Sequence, residues 1–286
     1  MKRTKQQRLT KFWEKKINPI TGWVDDKRVY RRPCILNQYQ VMKVIVDADS
    51  LIYASCFKRK DDRESPDDIF ETDVNVAFDK FEDSFDKLIS FLEELVKIDE
   101  IIVCNGSKNN FRKNISPTYK LNRTQKRPEI LPLLHDMVKL AYDSIYGDGV
   151  ETDDVVATLW AEEVEKNGVD SVIIMSLDKD YKQFPCWFYN YNYKSRELIK
   201  ISEQEANENF YYQMIIGDTA DNINYCKGYG KAYAKKLFKE AKNEYSLVNR
   251  TYRLYKEIYG DDAKSMFNEA KSLLTLKTDC YENIKR

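Results

Sequence analysis

The stretch Met42-Lys43-Val44-Ile45-Val46-Asp47 is the part of the sequence that decides the fold. Its first five residues form a short run rich in β-branched side chains, which is typical of a buried strand. Similar runs at 101–104, 172–175 and 187–191 predict three further strands. Helical patterns lie between these runs, and strands that alternate with helices favour a mostly parallel sheet covered on both faces.

Two helical patterns support this α/β assignment. Apolar residues recur at helical spacing over residues 73–97, which predicts an amphipathic helix. A second helix is predicted over 152–166, with Thr152 as its N-cap. After about residue 200 the pattern becomes mostly helical. We therefore predict a basic extension at 1–40, an α/β core at 41–200 and a helical subdomain at 201–286.

Composition narrows the possible classes of protein. The chain has 286 residues, of which 42% are hydrophobic, and this is enough to bury a sizeable core. It shows no apolar run of membrane-spanning length and no secretory segment, so we expect no membrane association. Six scattered cysteines without a C-x-x-C pattern favour a reducing cytoplasm. The single histidine, His135, excludes histidine-rich metal sites.

The net charge of zero hides strong segregation of charge along the chain. Residues 1–33 hold 11 basic and 3 acidic side chains, whereas residues 61–100 hold 15 acidic and 4 basic ones. Residues 106–128 contain 7 basic side chains and residues 222–239 contain 5, and neither segment has an acid. Two basic segments free of acids predict two separate contacts with a polyanion, because phosphates dominate non-specific nucleic-acid affinity.

Acidic side chains cluster where a parallel sheet places its ligands. Ligands of open α/β sheets bind outside the carboxyl ends of the strands, so acids that follow strands should meet at one rim. Asp218 and Asp221 lie three apart, which predicts one face of a helical turn. The eight acids expected at this rim are Asp47, Glu151, Asp153, Asp154, Asp178, Asp180, Asp218 and Asp221.

Such a cluster needs cations. Two unit charges about 4 Å apart repel by about 4 kcal/mol at an effective dielectric constant of about 20. Since the cluster offers only oxygen donors, Mg²⁺ is the expected cation and Mn²⁺ the second choice. Two such ions roughly 4 Å apart are the arrangement used for in-line attack on a phosphodiester. The acids could alternatively serve only as helix caps and loop residues.

Several motifs, taken in order, resemble the 5′-nuclease family of flap endonucleases and 5′–3′ exonucleases, most of all its phage-encoded single-chain branch. The likeness covers about residues 41–240. The motifs are Val44-Ile-Val-Asp-Ala-Asp-Ser50, Phe111-Arg-Lys-Asn-Ile-Ser-Pro-Thr-Tyr-Lys-Leu-Asn-Arg123, Gly149-Val-Glu-Thr-Asp-Asp154, Ile174-Met-Ser-Leu-Asp-Lys-Asp180, Gly217-Asp-Thr-Ala-Asp-Asn-Ile223 and Lys227-Gly-Tyr-Gly-Lys231.

This resemblance implies a basic helical arch at about 106–140 and a helix–hairpin–helix-type helical subdomain that binds DNA. It implies that the eight acids hold two Mg²⁺ ions, with Asp153 and Asp178 essential for cleavage. Lys120 and Arg123, which we place on one helix, would contact the scissile phosphate. Tyr119 matches a position where a ring can stack on a base. The remaining DNA contacts implied are Arg112, Lys113, Lys126, Arg127, Gly228, Gly230, Lys231 and Lys235.

The function implied is a divalent-metal-dependent 5′-nuclease that acts at 5′ ends, nicks or flaps of duplex DNA or RNA–DNA and leaves a 5′-phosphate. It would work in the cytoplasm, that of the host if the chain is phage-encoded, with any replication-protein partner unknown. The chain departs from the family at Asn105, where an aspartate is usual, and in residues 1–40. The alternatives are a PIN-type endoribonuclease and a non-catalytic, structure-specific DNA-binding module.

Overall fold

The computed structural model describes residues 41–192, 194, 196–241 and 243–286. The predicted basic extension at 1–40 lies outside the described residues. The strands, in chain order, are β1 (Val41–Asp47), β2 (Lys97–Cys104), β3 (Tyr146–Gly147), β4 (Val172–Ser176), β5 (Trp187–Asn190), β6 (Glu197–Lys200) and β7 (Ile284–Lys285).

A five-stranded sheet forms the centre of the described chain, in the order β2-β1-β4-β5-β6. Its first four strands are parallel, and β6 joins at the edge in the antiparallel direction. The predicted mostly parallel sheet is therefore confirmed. The neighbours of β1 are β2 on one side and β4 on the other, so the strand order reverses there. Open sheets bind their ligands in the crevice at such a point, beyond Asp47 at the end of β1.

The helices are α1 (Asp49–Ser55), α2 (Val74–Glu93), α3 (Arg112–Ile115), α4 (Leu131–Tyr142), α5 (Thr152–Asn167), α6 (Glu203–Ile216), α7 (Lys231–Phe238), α8 (Glu244–Tyr259) and α9 (Ala263–Leu274). None of the described helices is long and apolar enough to cross a bilayer. Helix α2 begins where the Asp73 carboxylate accepts a hydrogen bond from the Asn75 N–H at 2.8 Å. Capping of this kind satisfies a donor that the first helical turn leaves free.

The sheet is covered on both faces because successive side chains of a strand point in opposite directions. Val44 and Val46 of β1 are fully buried in a core that contains Phe81 of α2. Ile45 lies between them in sequence and packs in a second core with Val156 of α5. The period-2 pattern of one strand thus places α2 and α5 on opposite faces.

The helices after residue 200 have a third core of their own, built around buried side chains such as Tyr211, Leu254 and Phe267. The chain then returns to the sheet. Leu276 and Cys280 lie in the same core as α5, and β7 pairs with β3. Residues 275–286 therefore pack on the α/β part, although the predicted subdomain included them.

The segment expected to form a helical arch is only partly helical. Between α3 and α4 the chain makes a run of turns, followed by residues 123–128 without regular structure. Lys120 has a φ of 57°, in the left-handed region, which no α-helix of L-residues contains. The prediction that Lys120 and Arg123 share a helix was therefore wrong.

Arg112 at the start of α3 joins three parts of the fold. Its guanidinium is 1% exposed and donates to both carboxylate oxygens of Asp154 at 2.7 Å. It also donates to the backbone carbonyls of Leu273 and Thr275 at 2.9 Å. The prediction that Arg112 contacts DNA was wrong, because the side chain is buried and its donors are engaged.

We predict that Arg112→Ala destabilises the protein by about 3–5 kcal/mol, because the buried carboxylate of Asp154 loses a bidentate partner. Urea unfolding followed by circular dichroism measures this loss. The neighbouring Lys113 is exposed, so Lys113→Ala is the matched control and should leave the unfolding midpoint unchanged. Equal midpoints for both variants would show that the pair contributes little.

Candidate active site

Asp47 lies at the floor of the crevice, where β1 ends. It is 7% exposed, and its Oδ2 accepts hydrogen bonds from Ser176 Oγ at 3.1 Å and from the Tyr181 hydroxyl at 3.0 Å. Burial raises the pKa of Asp47 to about 7, and the charges of Asp49 and Asp178 add to this effect. A carboxyl group whose pKa is raised this far has too few positive charges nearby to offset its burial and the neighbouring acids.

The four sequence clusters of acids meet in one neighbourhood. Burial raises the pKa of the Tyr181 hydroxyl, and the charges of Asp47, Asp153 and Asp178 raise it further. Burial also raises the pKa of Asp178, with contributions from Asp221 and Asp218. Acids separated by up to 174 positions, from Asp47 to Asp221, therefore act on the same few groups.

The acids that open helix α5 have different roles. The N-cap is Glu151 rather than the predicted Thr152, and the Asp154 carboxylate accepts from the Glu151 N–H in a capping box. Both oxygens of Asp154 are held by Arg112, so the prediction that Asp154 is a metal ligand was wrong. Burial raises the pKa of Asp153, and the charges of Asp154 and Glu151 raise it further.

Asp218 and Asp221 belong to a tight turn and not to the predicted helical turn. Asp218 and Ile223 exchange backbone hydrogen bonds of 2.9 and 2.8 Å, which close the turn. Gly217 precedes it with a φ of 71°, and a Cβ there would lie 2.2 Å from the Ile223 carbonyl oxygen. Only glycine fits this position.

Basic side chains reach into the cluster from two loops. Lys120 forms an ion pair with Glu151, and its Nζ lies 3.7 Å from Asp221 Oδ2. Arg123 donates to Asp221 Oδ1 at 2.7 Å. Lys179 Nζ lies 2.7 Å from Asp218 Oδ2. The structure thus brings the predicted pair Lys120 and Arg123 to the acids.

The acids divide into neutralised and under-neutralised groups. Burial raises the pKa of Glu151, but Lys120 and Arg112 outweigh burial and lower it overall. Asp218 shows the same balance, with Lys179 as the main opposing group. Asp180 is different: burial and Asp178 raise its pKa to about 7. The under-neutralised acids are Asp47, Asp153, Asp178 and Asp180.

Contrary to what the resemblance implied, the ring of Tyr119 is not accessible to a base. The side chain is 4% exposed and its ring lies in the core of the helical part. Its hydroxyl lies 2.8 Å from both Glu151 Oε2 and Asp221 Oδ2. The prediction that this ring stacks on a base was therefore wrong, because its faces are covered by protein.

The donor set suits a hard cation, although the described residues form no ready-made cage. Within residues 41–286 as described, no three His, Cys, Asp or Glu side chains already surround a common point. Asn105 is fully buried just after the end of β2, and neither polar atom of its side chain has a hydrogen-bond partner among the residues that the structure describes. A buried amide without partners costs about 1–3 kcal/mol, which a ligand or water would offset.

Most predicted DNA-binding residues are exposed. Lys113, Lys126 and Arg127 lie on the surface, and Lys126 is 76% exposed. Gly228, Gly230, Lys231 and Lys235 are also exposed, and Gly230 is the N-cap of α7. A helix N-terminus next to lysines can bind a phosphate through backbone N–H groups. Their contact with DNA stays a prediction.

Sequence reasoning missed four residues that shape this site. Lys179 and Tyr181 flank Asp180, and their position beside a predicted acid was an available signal. Asp49 lies two residues after Asp47, and its carboxylate accepts from the Gly106 N–H at 2.7 Å and from Thr152 Oγ1 at 2.8 Å. Gly217 gave no signal, because its need for a left-handed conformation depends on a turn that sequence did not reveal.

Known proteins share both sequence and fold with this chain. A family model described as 5′-3′ exonuclease, N-terminal resolvase-like domain, matches residues 42–210. A 5′-3′ exonuclease of Buchnera aphidicola subsp. Acyrthosiphon pisum is 31% identical over 150 residues, which are 48% of this chain and 51% of that protein. The chain thus spans about half the length of this curated relative.

Two solved structures share the fold. A T5 protein co-crystallised with metal ions has a TM-score of 0.59 at 16% identity, covering 84% of this chain and 91% of that one. A bacteriophage T5 flap endonuclease in a complex with DNA and metal ions has a TM-score of 0.52 at 15% identity, covering 81% and 98%. Because the family model spans more than half of the chain, the chain belongs to the 5′-3′ exonuclease family through its N-terminal resolvase-like domain.

Proposed function

We propose that this chain is a divalent-metal-dependent nuclease that hydrolyses phosphodiester bonds at 5′ ends, nicks or flaps of duplex DNA or RNA–DNA hybrids and leaves a 5′-phosphate. The observation that carries the proposal is the group of under-neutralised acids in the crevice, beside two exposed basic segments. The names of the relatives support it, since they are called 5′-3′ exonuclease and flap endonuclease, the latter bound to DNA and metal ions.

The acids fit two divalent cations by charge as well as by chemistry. Among the described residues, five of the eight predicted ligands pair with cationic side chains, which are Arg112, Lys120, Arg123 and Lys179, so the eight acids meet only four positive charges. Asp47, Asp153, Asp178 and Asp180 would hold the ions. Bound Mg²⁺ would supply Lewis acidity and lower the pKa of the attacking water, and Mn²⁺ could replace it.

Other side chains bind and orient the substrate. Lys120 and Arg123 lie beside the acids, so a phosphate that enters the crevice meets their positive charge. Lys126 and Arg127 extend the basic loop over the surface. The N-terminus of α7, with Lys231 and Lys235, would bind the duplex backbone and place a junction near the crevice. We expect this activity in the cytoplasm.

A nuclease assay tests the proposal directly. With Mg²⁺, flapped and nicked DNA labelled at the 5′ or the 3′ end should be cut from the 5′ side, whereas a hairpin RNA should resist. Asp178→Ala should abolish cleavage but retain DNA binding measured in Ca²⁺. Asp261 is exposed, lies in the turn between α8 and α9 and belongs to none of the acid clusters, so Asp261→Ala should keep full activity. Cutting of RNA alone would favour a PIN-type endoribonuclease, and binding without cutting a non-catalytic module.

Removing Lys120 should affect turnover more than binding. We expect Lys120→Ala to lower kcat about 10²–10³-fold, as the loss of a group that stabilises developing charge does. The Kd for flapped DNA should change by only about threefold, since exposed lysines elsewhere supply most phosphate contacts. Lys166 lies at the far end of α5 and serves as the control. A kcat equal to that of Lys166→Ala would make Lys120 an ordinary surface charge.

The free energy of unfolding should depend on pH in the metal-free protein. Asp47 and Asp180 have pKa values of about 7 when folded, against 3.8 when unfolded. Between about pH 4 and pH 7 the folded state therefore binds more protons, and stability falls as pH rises through this window. Urea unfolding in EDTA measures the slope, and Asp180→Asn should make it smaller. Stability that rises from pH 4 to pH 7 would contradict this.

A further inference from the structure

Tyr119 joins two carboxylates that come from different elements. Its hydroxyl lies 2.8 Å from Glu151 Oε2, at the start of α5, and 2.8 Å from Asp221 Oδ2, in the turn before α7. A phenol has a single hydrogen to donate, so the two acids share one donor. The tyrosine ring is fixed in the core of the helical part, which gives this hydroxyl a defined position.

The same two carboxylates hold the predicted catalytic lysine. Lys120 forms an ion pair with Glu151 and lies 3.7 Å from Asp221 Oδ2. The second oxygen of Asp221 accepts from Arg123 at 2.7 Å. The ammonium of Lys120 is therefore placed by the same two acids that lie within hydrogen-bond distance of the Tyr119 hydroxyl.

The loop that carries these residues is fastened to the Asp218–Asp221 turn. The Lys120 N–H donates to the Asp221 carbonyl at 2.9 Å. Asn122 Nδ2 donates to the Thr219 carbonyl at 2.6 Å, and Asn222 Nδ2 donates to the Thr118 carbonyl at 2.9 Å. Lys120 has a φ of 57°, a conformation that costs about 1–3 kcal/mol for a residue with a Cβ. Such a backbone persists only where its surroundings hold it.

We propose that Tyr119 is a positioning residue for Lys120 and acts through the carboxylates of Glu151 and Asp221. The inference rests on the proposed nuclease function. It assigns a role to the hydroxyl of Tyr119, whereas the stacking prediction assigned one to the ring. Removal of the hydroxyl leaves Glu151 and Asp221 without their shared donor. Lys120 then loses its fixed place, while the exposed DNA-binding lysines keep theirs.

Tyr119→Phe tests this role, because it keeps the ring and removes only the hydroxyl. On flapped DNA with Mg²⁺ we expect kcat to fall about tenfold with KM within about twofold, as for one lost charge-assisted hydrogen bond. In a Lys120→Ala background the same change should lower kcat by less than about twofold. Tyr211→Phe is the matched control, since Tyr211 is 2% exposed in the same core and its hydroxyl donates to Glu244, outside the acid cluster, at 3.0 Å.

Other outcomes overturn the inference. A wild-type kcat for Tyr119→Phe would leave the hydroxyl without a role, and a rise in KM alone for Tyr119→Leu would restore the stacking role. A full tenfold loss in the Lys120→Ala background would show that the two residues act independently. If the wild type cuts no substrate, the proposed function fails. Urea unfolding of the wild type, of Tyr119→Phe, of Lys120→Ala and of the double variant then decides the inference. If the two single changes lower the free energy of unfolding additively in the double variant, the inference is refuted.

Discussion

Repulsion between buried carboxylates is the constraint on which this structure depends. Acids from the ends of β1 and β4, from the start of α5 and from the turn before α7 lie within reach of one another's charges. Arg112, Lys120, Arg123 and Lys179 neutralise part of this charge, and the remainder stays on acids whose pKa burial has raised. The fold therefore concentrates more negative charge than its own cations neutralise, and bound metal ions would neutralise the remainder.

The four cationic side chains are not equivalent. Arg112 is buried and bound to two backbone carbonyls as well as to Asp154, so it belongs to the framework. Lys179 is 59% exposed and Arg123 is 46% exposed, so solvent and ligands reach them. One arginine therefore fixes the site, whereas the more exposed cations would be able to pair with a phosphate in the proposed function.

Much of the fold could be predicted from sequence, and part of the site could not. Short apolar runs rich in β-branched residues predicted the buried strands. Because Asp47 and Asp178 follow such runs, the sequence also predicted the position of the crevice. Local periodicity fails where long-range contacts decide the backbone. Lys120 looked helical from its spacing to Arg123, but hydrogen bonds to residues about 100 positions away hold it in a left-handed turn. Arg112 and Tyr119 matched an exposed basic motif, and only packing reveals that both are buried.

The return of the chain to the sheet after α9 has a consequence for synthesis and for motion. Leu276 and Cys280 complete the core beneath α5, and β7 pairs with β3. The helical part is therefore an insertion tethered at both ends, and it cannot swing on a single hinge. During translation the α/β layer therefore stays unfinished until residues 275–286 have left the ribosome, by which time the whole helical part has been synthesised.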